Sequence, residues 1–246
     1  MRVAEITGPG PLLDTAYDEI LAASFPGDEL MTAEDLRDDL AAGSLGAAIL
    51  DDHGRPLAVA IGTWSASSDV LLLSYLAVRP GYRGAGLGGA LLARSRDVWL
   101  PRVGGCALLA EVEHPAAHPA SEAYGDPVAR LRFYARHGGR ALDLPYFQPA
   151  LAPGRHRVYG LVLVALALTS TGAGRRVGTV APEPVRRLLT RYFTATEGAV
   201  GDDPASTALW RCLDRPEGVP LLPLDDPAAL PLSQPDPHPS SAGPGW

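Results

Sequence analysis

Cysteine is scarce: Cys106 and Cys212 are the only two in 246 residues. They form no CxxC pair and offer no zinc spacing, so no cysteine-built metal site can be read from them. Cys106 opens an apolar run and is expected in the core, where free thiols usually lie. Excess basic charge is also missing. The formal net charge is −7, which argues against a general nucleic-acid surface, since such surfaces are basic. The longest apolar run, Val158 to Leu168, falls well short of the ~20 residues a membrane helix needs. The first residues lack a basic region followed by an apolar core, so no secretory leader is expected. These absences predict a cytoplasmic protein with no membrane or nucleic-acid partner. No internal repeat is visible.

What remains is ordinary for a globular protein, 46% hydrophobic and 20% charged. The length allows one large domain with an appendage. Val3 to Thr7 reads as a short strand. Pro11 starts a helix with Leu13, Tyr17, Ile20 and Leu21 on one stripe, and Thr32 caps a second helix carrying Leu36 and Leu40. The apolar runs Ala47–Leu50 and Leu57–Thr63 flank Asp51-Asp52-His53-Gly54, the pattern of a hairpin with Gly54 free to take positive φ. Val70 to Val78 is a third strand. A glycine turn and a helix to about Leu100 follow, then a strand from Cys106 to Glu113. Asp126-Pro127 is a cap followed by proline at the first helical position, and that helix stops at Gly138-Gly139. Arg140–Leu144 and Val158–Leu168 read as the last strands. The meander before the glycines must be antiparallel and the unit after them a parallel crossover. The fold class is therefore α/β, a mixed sheet flanked by helices.

The chain divides into residues 1–168, a helical extension over 169–215 and a tail over 216–246. In the extension, Pro184 to Thr196 forms an amphipathic helix with Val185, Leu188, Leu189 and Tyr192 on one stripe. That stripe packs most simply on the core, with a homodimer contact as the alternative. The tail is proline-rich, without periodicity, and reads as extended or disordered.

The informative stretch is the strand that feeds Arg83, Gly84, Ala85, Gly86, Leu87, Gly88 and Gly89 and then a helix. Backbone N–H groups at a helix start attract anions, and glycines let a ligand approach closely. A P-loop is excluded because Ala90 and Leu91 stand where Lys and Ser/Thr are required. Gly84-x-Gly86-x-x-Gly89 fits the dinucleotide fingerprint literally, and Glu111 follows at about the expected ~20 residues. Against that reading, strands expected to be antiparallel precede the motif, Arg79 to Arg83 intervene before the first glycine, and the strand–helix alternation does not continue.

Arg83-x-x-Gly86-x-Gly88 after the strand Leu73–Val78 resembles the central motif of the GNAT superfamily, the general N-acetyltransferases. Phe133-Tyr134-x-x-x-Gly138 is similar to that family's FYxxxGF element on the following helix. The resemblance covers roughly residues 1 to 168. It implies that acetyl-CoA is the co-substrate, with its pyrophosphate on the N–H groups of Arg83 to Gly89. The strand Leu76-Ala77-Val78 would splay from its neighbour, and the pantetheine would pair with the backbone at Leu76 and Val78. An N–H near Val78 would polarise the thioester carbonyl. By the same resemblance, Tyr134 is the acid that protonates the departing thiolate.

Glu111 and Glu113 are the base candidates, and alternation puts both on one strand face. Glu111 is preferred, with a water chain as the alternative. The resemblance is incomplete. The asparagine often found at the start of the FYxxxG helix is missing, Gly139 replaces an aromatic, and the loop after Glu113 is long. A non-catalytic acyl-CoA sensor therefore stays open beside an enzyme that acetylates a primary amine of a small molecule or a protein. No metal is expected: nothing completes a site around His114, His118 and Glu111. His137 reads as a helix C-terminal partner. The acceptor side would involve Phe25 to Leu30, with Asp28 and Glu29 able to attract an amine, and Tyr146 to Arg157. Ser74 and Tyr75 would line the same site.

Overall fold

A computed structural model describes residues 1–105, 107–122 and 124–235. Cys106, expected in the core, and the last eleven residues of the tail lie outside the described residues. The chain opens with β1 (Arg2–Ile6) and α1 (Pro11–Ala16), which begins on proline and runs into one π-helical turn, Tyr17–Leu21. Thr32 caps α2 (Ala33–Ala41), its hydroxyl accepting from the Asp35 N–H at 3.1 Å. β2 (Leu45–Leu50), β3 (Pro56–Ser65) and β4 (Val70–Val78) form the antiparallel meander. Gly54 turns the hairpin at φ 81°, and the Asp51 carboxylate accepts from the N–H groups of His53 and Arg55 at 2.9 Å each.

α3 (Leu87–Val103) then crosses over to β5 (Ala107–Glu113), which lies parallel to β4. α4 (Pro127–Arg136) is capped by Asp126, which accepts from the Val128 N–H at 2.9 Å. After it come β6 (Arg140–Leu142), β7 (Leu161–Leu168), β8 (Thr179–Val180), α5 (Pro182–Glu197), α6 (Pro204–Cys212) and β9 (Val219–Leu222). The sheet order is β1-β2-β3-β4-β5-β7-β6-β9-β8, the mixed α/β sheet expected from the sequence.

β7 is not the last strand. The tail from Pro216, read as extended or disordered, is built into the sheet over part of its length: β9 pairs with both β6 and β8. Leu224 and Leu230 are buried. The Ser233 hydroxyl accepts from the Gly160 N–H at 2.8 Å and donates to the Tyr146 carbonyl at 2.5 Å. Proline content misled because a short strand tolerates proline, and the apolar residues between the prolines have a surface to cover.

Side-chain alternation sorts the helices onto two faces. On β4, Leu71 and Leu73 pack with Leu91, Trp99 and Leu131 of α3 and α4, while Val70 and Leu72 pack with Val185, Leu189 and Leu209 of α5 and α6. Register slips at Ser74: Ile61 opposes Tyr75, but Gly62 opposes Leu73. An extra residue inverts the pleat beyond it. Tyr75 and Ala77 therefore join the core under α1 and α2, while Leu76 and Val78 turn toward α3. α1, α2, α5 and α6 cover one face, and α3 and α4 the other. Pairing of β4 with β5 is confined to Val70–Leu73 against Ala107–Ala110, so the two strands diverge past Leu73.

Candidate active site

A cleft of about 720 Å³ occupies this divergence. It is lined from the α3–α4 side by Leu76, Val78, Phe133 and Tyr134, and from the other face by Tyr75, Leu188 and Tyr192. The cavity thus passes through the sheet at the one place where two central strands part.

The glycine loop follows Val78 at the start of α3; Arg83 lines the cleft, and Gly84 to Gly89 do not. Gly81, Gly84 and Gly86 have φ of 85°, 85° and 79°, a region other residues avoid. Gly86 precedes α3, whose start has no side-chain cap and no acidic residue in its first turn. The helix-start N–H groups lack intrahelical partners, and the dipole there favours an anion. Gly89 has a different reason to be small: a Cβ there would come within 2.8 Å of His137 Nε2. His137 caps α4 and packs on Phe133 with ring centroids 4.7 Å apart. Arg83 lines the cleft and donates to the Ser24 hydroxyl at 3.4 Å.

Tyr134 is buried, edge-on to Phe133 at 5.1 Å, and its hydroxyl has no hydrogen-bond partner among the described residues. Burial pushes its pKa up to about 12, with Arg130 acting in the opposite direction. Glu111 accepts a hydrogen bond from the Tyr146 hydroxyl. Burial pushes the Glu111 carboxyl up to about 7, against the lowering effect of that bond. Glu113 shares the cleft but is held by Arg130 Nη1 at 2.5 Å, and Arg130 also donates to the Tyr124 carbonyl. Glu29 is likewise raised to about 7, first by burial and then by the Glu113 charge.

Glu29, Glu113 and His118 bring ligand-type atoms within 4.8 Å of one another. Two of the three are already engaged, Glu113 by Arg130 and His118 through Nε2 at the Tyr159 carbonyl, 2.8 Å. His114 is buried, and its Nδ1 accepts from the Ala116 N–H at 3.0 Å, so it belongs to the turn rather than to an open surface loop.

The profile of the acetyltransferase (GNAT) family matches residues 14–138. The chain belongs to the GNAT family. It is an acyltransferase, and the family's acyl donor is acetyl-CoA. Among solved structures, a GNAT-family protein from Bacteroides thetaiotaomicron is 20% identical, with 79% of this chain and 97% of that one covered at a TM-score of 0.55. The ribosomal-protein-S18-alanine N-acetyltransferase from Escherichia coli is 23% identical over 70% of this chain and 97% of its own, TM-score 0.47. A GNAT acetyltransferase from Elizabethkingia anophelis with acetyl-CoA bound is 14% identical over 68% and 97%, TM-score 0.46. No curated protein matches the chain.

Seen as a GNAT site, the cleft gathers Tyr134, Glu111, Glu113, Arg83, Ser74, Tyr75 and Leu76–Val78. From the acidic loop it takes Phe25 and Glu29 but not Asp28, which turns toward His156 at 3.5 Å. Three contributors escaped the sequence. Tyr146 lay in a segment expected to reach the site, but nothing singled it out. Tyr192 packs on the core beside the fully buried Phe193, as the stripe predicts, but it also lines the cleft. Asp39 sits beside the buried Leu40 and carried no signal of its own.

Proposed function

We propose that this protein acetylates a primary amine, on a small molecule or a protein, with acetyl-CoA as donor. The observation that carries the reading is the cleft that crosses the sheet where β4 and β5 part. A donor entering from the α3 face and an acceptor entering from the α2–α5 face meet there and nowhere else along the strands.

In this reading the pyrophosphate rests on the loop of Arg83, Gly84, Ala85, Gly86, Leu87, Gly88 and Gly89. The pantetheine lies along Leu76, Ala77 and Val78, whose β5-facing edge has no ladder partner from Glu111 to Glu113. That brings the thioester between Tyr134 and Glu111. Holding thioester and amine together supplies much of the acceleration. Glu111, with a pKa of about 7, is poised to take the ammonium's proton at neutral pH. The Tyr146 hydroxyl fixes the carboxylate's orientation. The amine attacks the carbonyl carbon, the C–S bond breaks, and Tyr134, protonated at any ordinary pH, gives its proton to the thiolate and regains one from the nitrogen of the forming amide. An N–H near Val78 stabilises the oxyanion.

The test is release of free thiol from acetyl-CoA on adding amines, with the amide identified by mass. The chain contains no lysine, so self-acetylation of lysine cannot mimic turnover. Tyr134→Phe should lower kcat by about 10²-fold or more while CoA binding is retained. Turnover equal to the unsubstituted protein would remove Tyr134 from the mechanism. CoA binding with no thiol release on any amine would favour an acyl-CoA sensor.

A further inference from the structure

The acceptor half of the cleft carries more anionic groups than one reacting amine requires. Besides Glu111 at the sheet gap, Asp39 of α2 lines it. Asp39 is half-buried and is pinned by two hydroxyls, Thr63 Oγ1 at 3.3 Å and Ser44 Oγ at 3.4 Å. Thr63 in turn bonds Ser74 Oγ at 2.9 Å, a polar chain running from α2 to the bulge of β4. No Arg or His comes within ion-pair distance of Asp39 among the described residues; Arg191, on the opposite wall, acts on it only at longer range. A carboxylate held in place and partly stripped of water, without a cation, is an incomplete ion pair.

Tyr192 of α5 adds a second, independent sign. Its hydroxyl has no hydrogen-bond partner among the described residues, yet it lines the cleft. Burial, followed by the charges of Glu111 and Asp39, pushes that phenol well above its ordinary value. The Tyr75 phenol is acted on by the same two carboxylates. Both phenols line the same cleft as Glu111, Asp39 and Leu188. An unbonded hydroxyl and a carboxylate without a cation, lining one aromatic-walled cavity, match an ammonium or guanidinium group, which donates to both and sits well against aromatic faces.

We propose that the acceptor is a dication: its reacting amine lies beside Glu111, and a second cationic group, separated by an apolar linker, is held by Asp39 and Tyr192. This rests on the amine-acetylation reading above and goes further by fixing the acceptor's other end. It gives α5, which lies outside the family-matched segment, the role of selecting the acceptor.

Three amines on the same four-carbon skeleton test it: putrescine, butylamine and γ-aminobutyrate, whose tails are cationic, neutral and anionic. A charge-assisted hydrogen bond in a desolvated pocket predicts that kcat/KM for putrescine exceeds that for butylamine by about tenfold to a hundredfold, with γ-aminobutyrate the poorest. Asp39→Asn keeps a hydrogen-bonding group for Thr63 and Ser44 and should bring the putrescine-to-butylamine ratio to about one. CoA binding by the variant checks its folding. Equal kcat/KM for putrescine and butylamine, a preference for γ-aminobutyrate (which Arg191 would favour), or an unchanged ratio in Asp39→Asn overturns the dication proposal while leaving amine acetylation standing. Absence of turnover on all three and on wider amines, with CoA still bound, overturns the amine reading and this proposal with it.

Discussion

Glu111 stands one residue beyond the β4-paired part of β5, where the two strands part; Tyr75 and Tyr192 line the same cleft, and Tyr146 bonds its carboxyl. Burial raises its pKa to about 7, and the Tyr146 hydrogen bond opposes that rise because it favours the charged form. Two outcomes follow. The kcat/KM of the unsubstituted protein should rise with pH around a midpoint of about 7, separate from the acceptor's own titration near the ordinary amine range. Glu111→Gln should lose that step together with about 10²- to 10⁴-fold of the rate. Tyr146→Phe removes the bond that lowers the pKa, so the midpoint should move to higher pH while the KM for acetyl-CoA holds. A fall in rate with an unmoved midpoint would reduce Tyr146 to packing. At this scale the cleft positions of Tyr134 and Arg83 were legible because each stands in a motif, and that of Glu111 because it is a charge on an otherwise apolar strand. Tyr146 and Asp39 were not legible, because their neighbours are distant in sequence: Glu111 lies 35 positions from Tyr146, and Thr63 lies 24 from Asp39.

Among the elements, β4 matters most, and its decisive feature is the bulge at Ser74. One extra residue turns Tyr75 toward the α1–α2 face and Leu76 and Val78 toward the α3 face, and pairing with β5 ends at the same level. The meander, the parallel crossover and the capped helices could all be read from apolar period and turn residues. The bulge could not, since Val70 to Val78 is apolar nearly throughout and a run without alternation does not reveal an inversion of alternation. The glycine loop was legible because positive φ restricts residue choice. Gly86→Ala, at φ 79°, should cost about 1–2 kcal/mol of stability and raise the KM for acetyl-CoA about tenfold, since the strain relaxes by moving the N–H groups proposed to hold the pyrophosphate. Thermal unfolding and acetyl-CoA titration check the two effects separately.

Across the whole molecule, the C-terminal third is not loosely appended. Arg157 binds Glu197 at the end of α5 at 2.6 Å, binds Asp203 at the start of α6 at 2.7 Å, and stacks over Phe147 at 5.0 Å. It ties the segment carrying Tyr146 to the helix carrying Tyr192. Arg157→Ala leaves two carboxylates without their cation and should destabilise the protein by about 2–4 kcal/mol, read as a lowered denaturant midpoint. Burial would raise the Asp203 pKa, but the Arg157 and Ser206 bonds outweigh it and bring it to about 2, below the ordinary 3.8. The charged form therefore contributes stability that is complete above about pH 4 and lost as pH falls toward 2; Asp203→Asn should remove that part of the acid sensitivity. In the proposed reaction donor and acceptor meet inside the sheet, between β4 and β5. A crystal structure of the protein with CoA tests it most directly. The pyrophosphate should lie on the N–H groups between Arg83 and Gly89, with the thiol in the β4–β5 gap within hydrogen-bond reach of the Tyr134 hydroxyl and facing Glu111. A CoA whose thiol stays on the α3 face, or which binds away from the glycine loop, would contradict it.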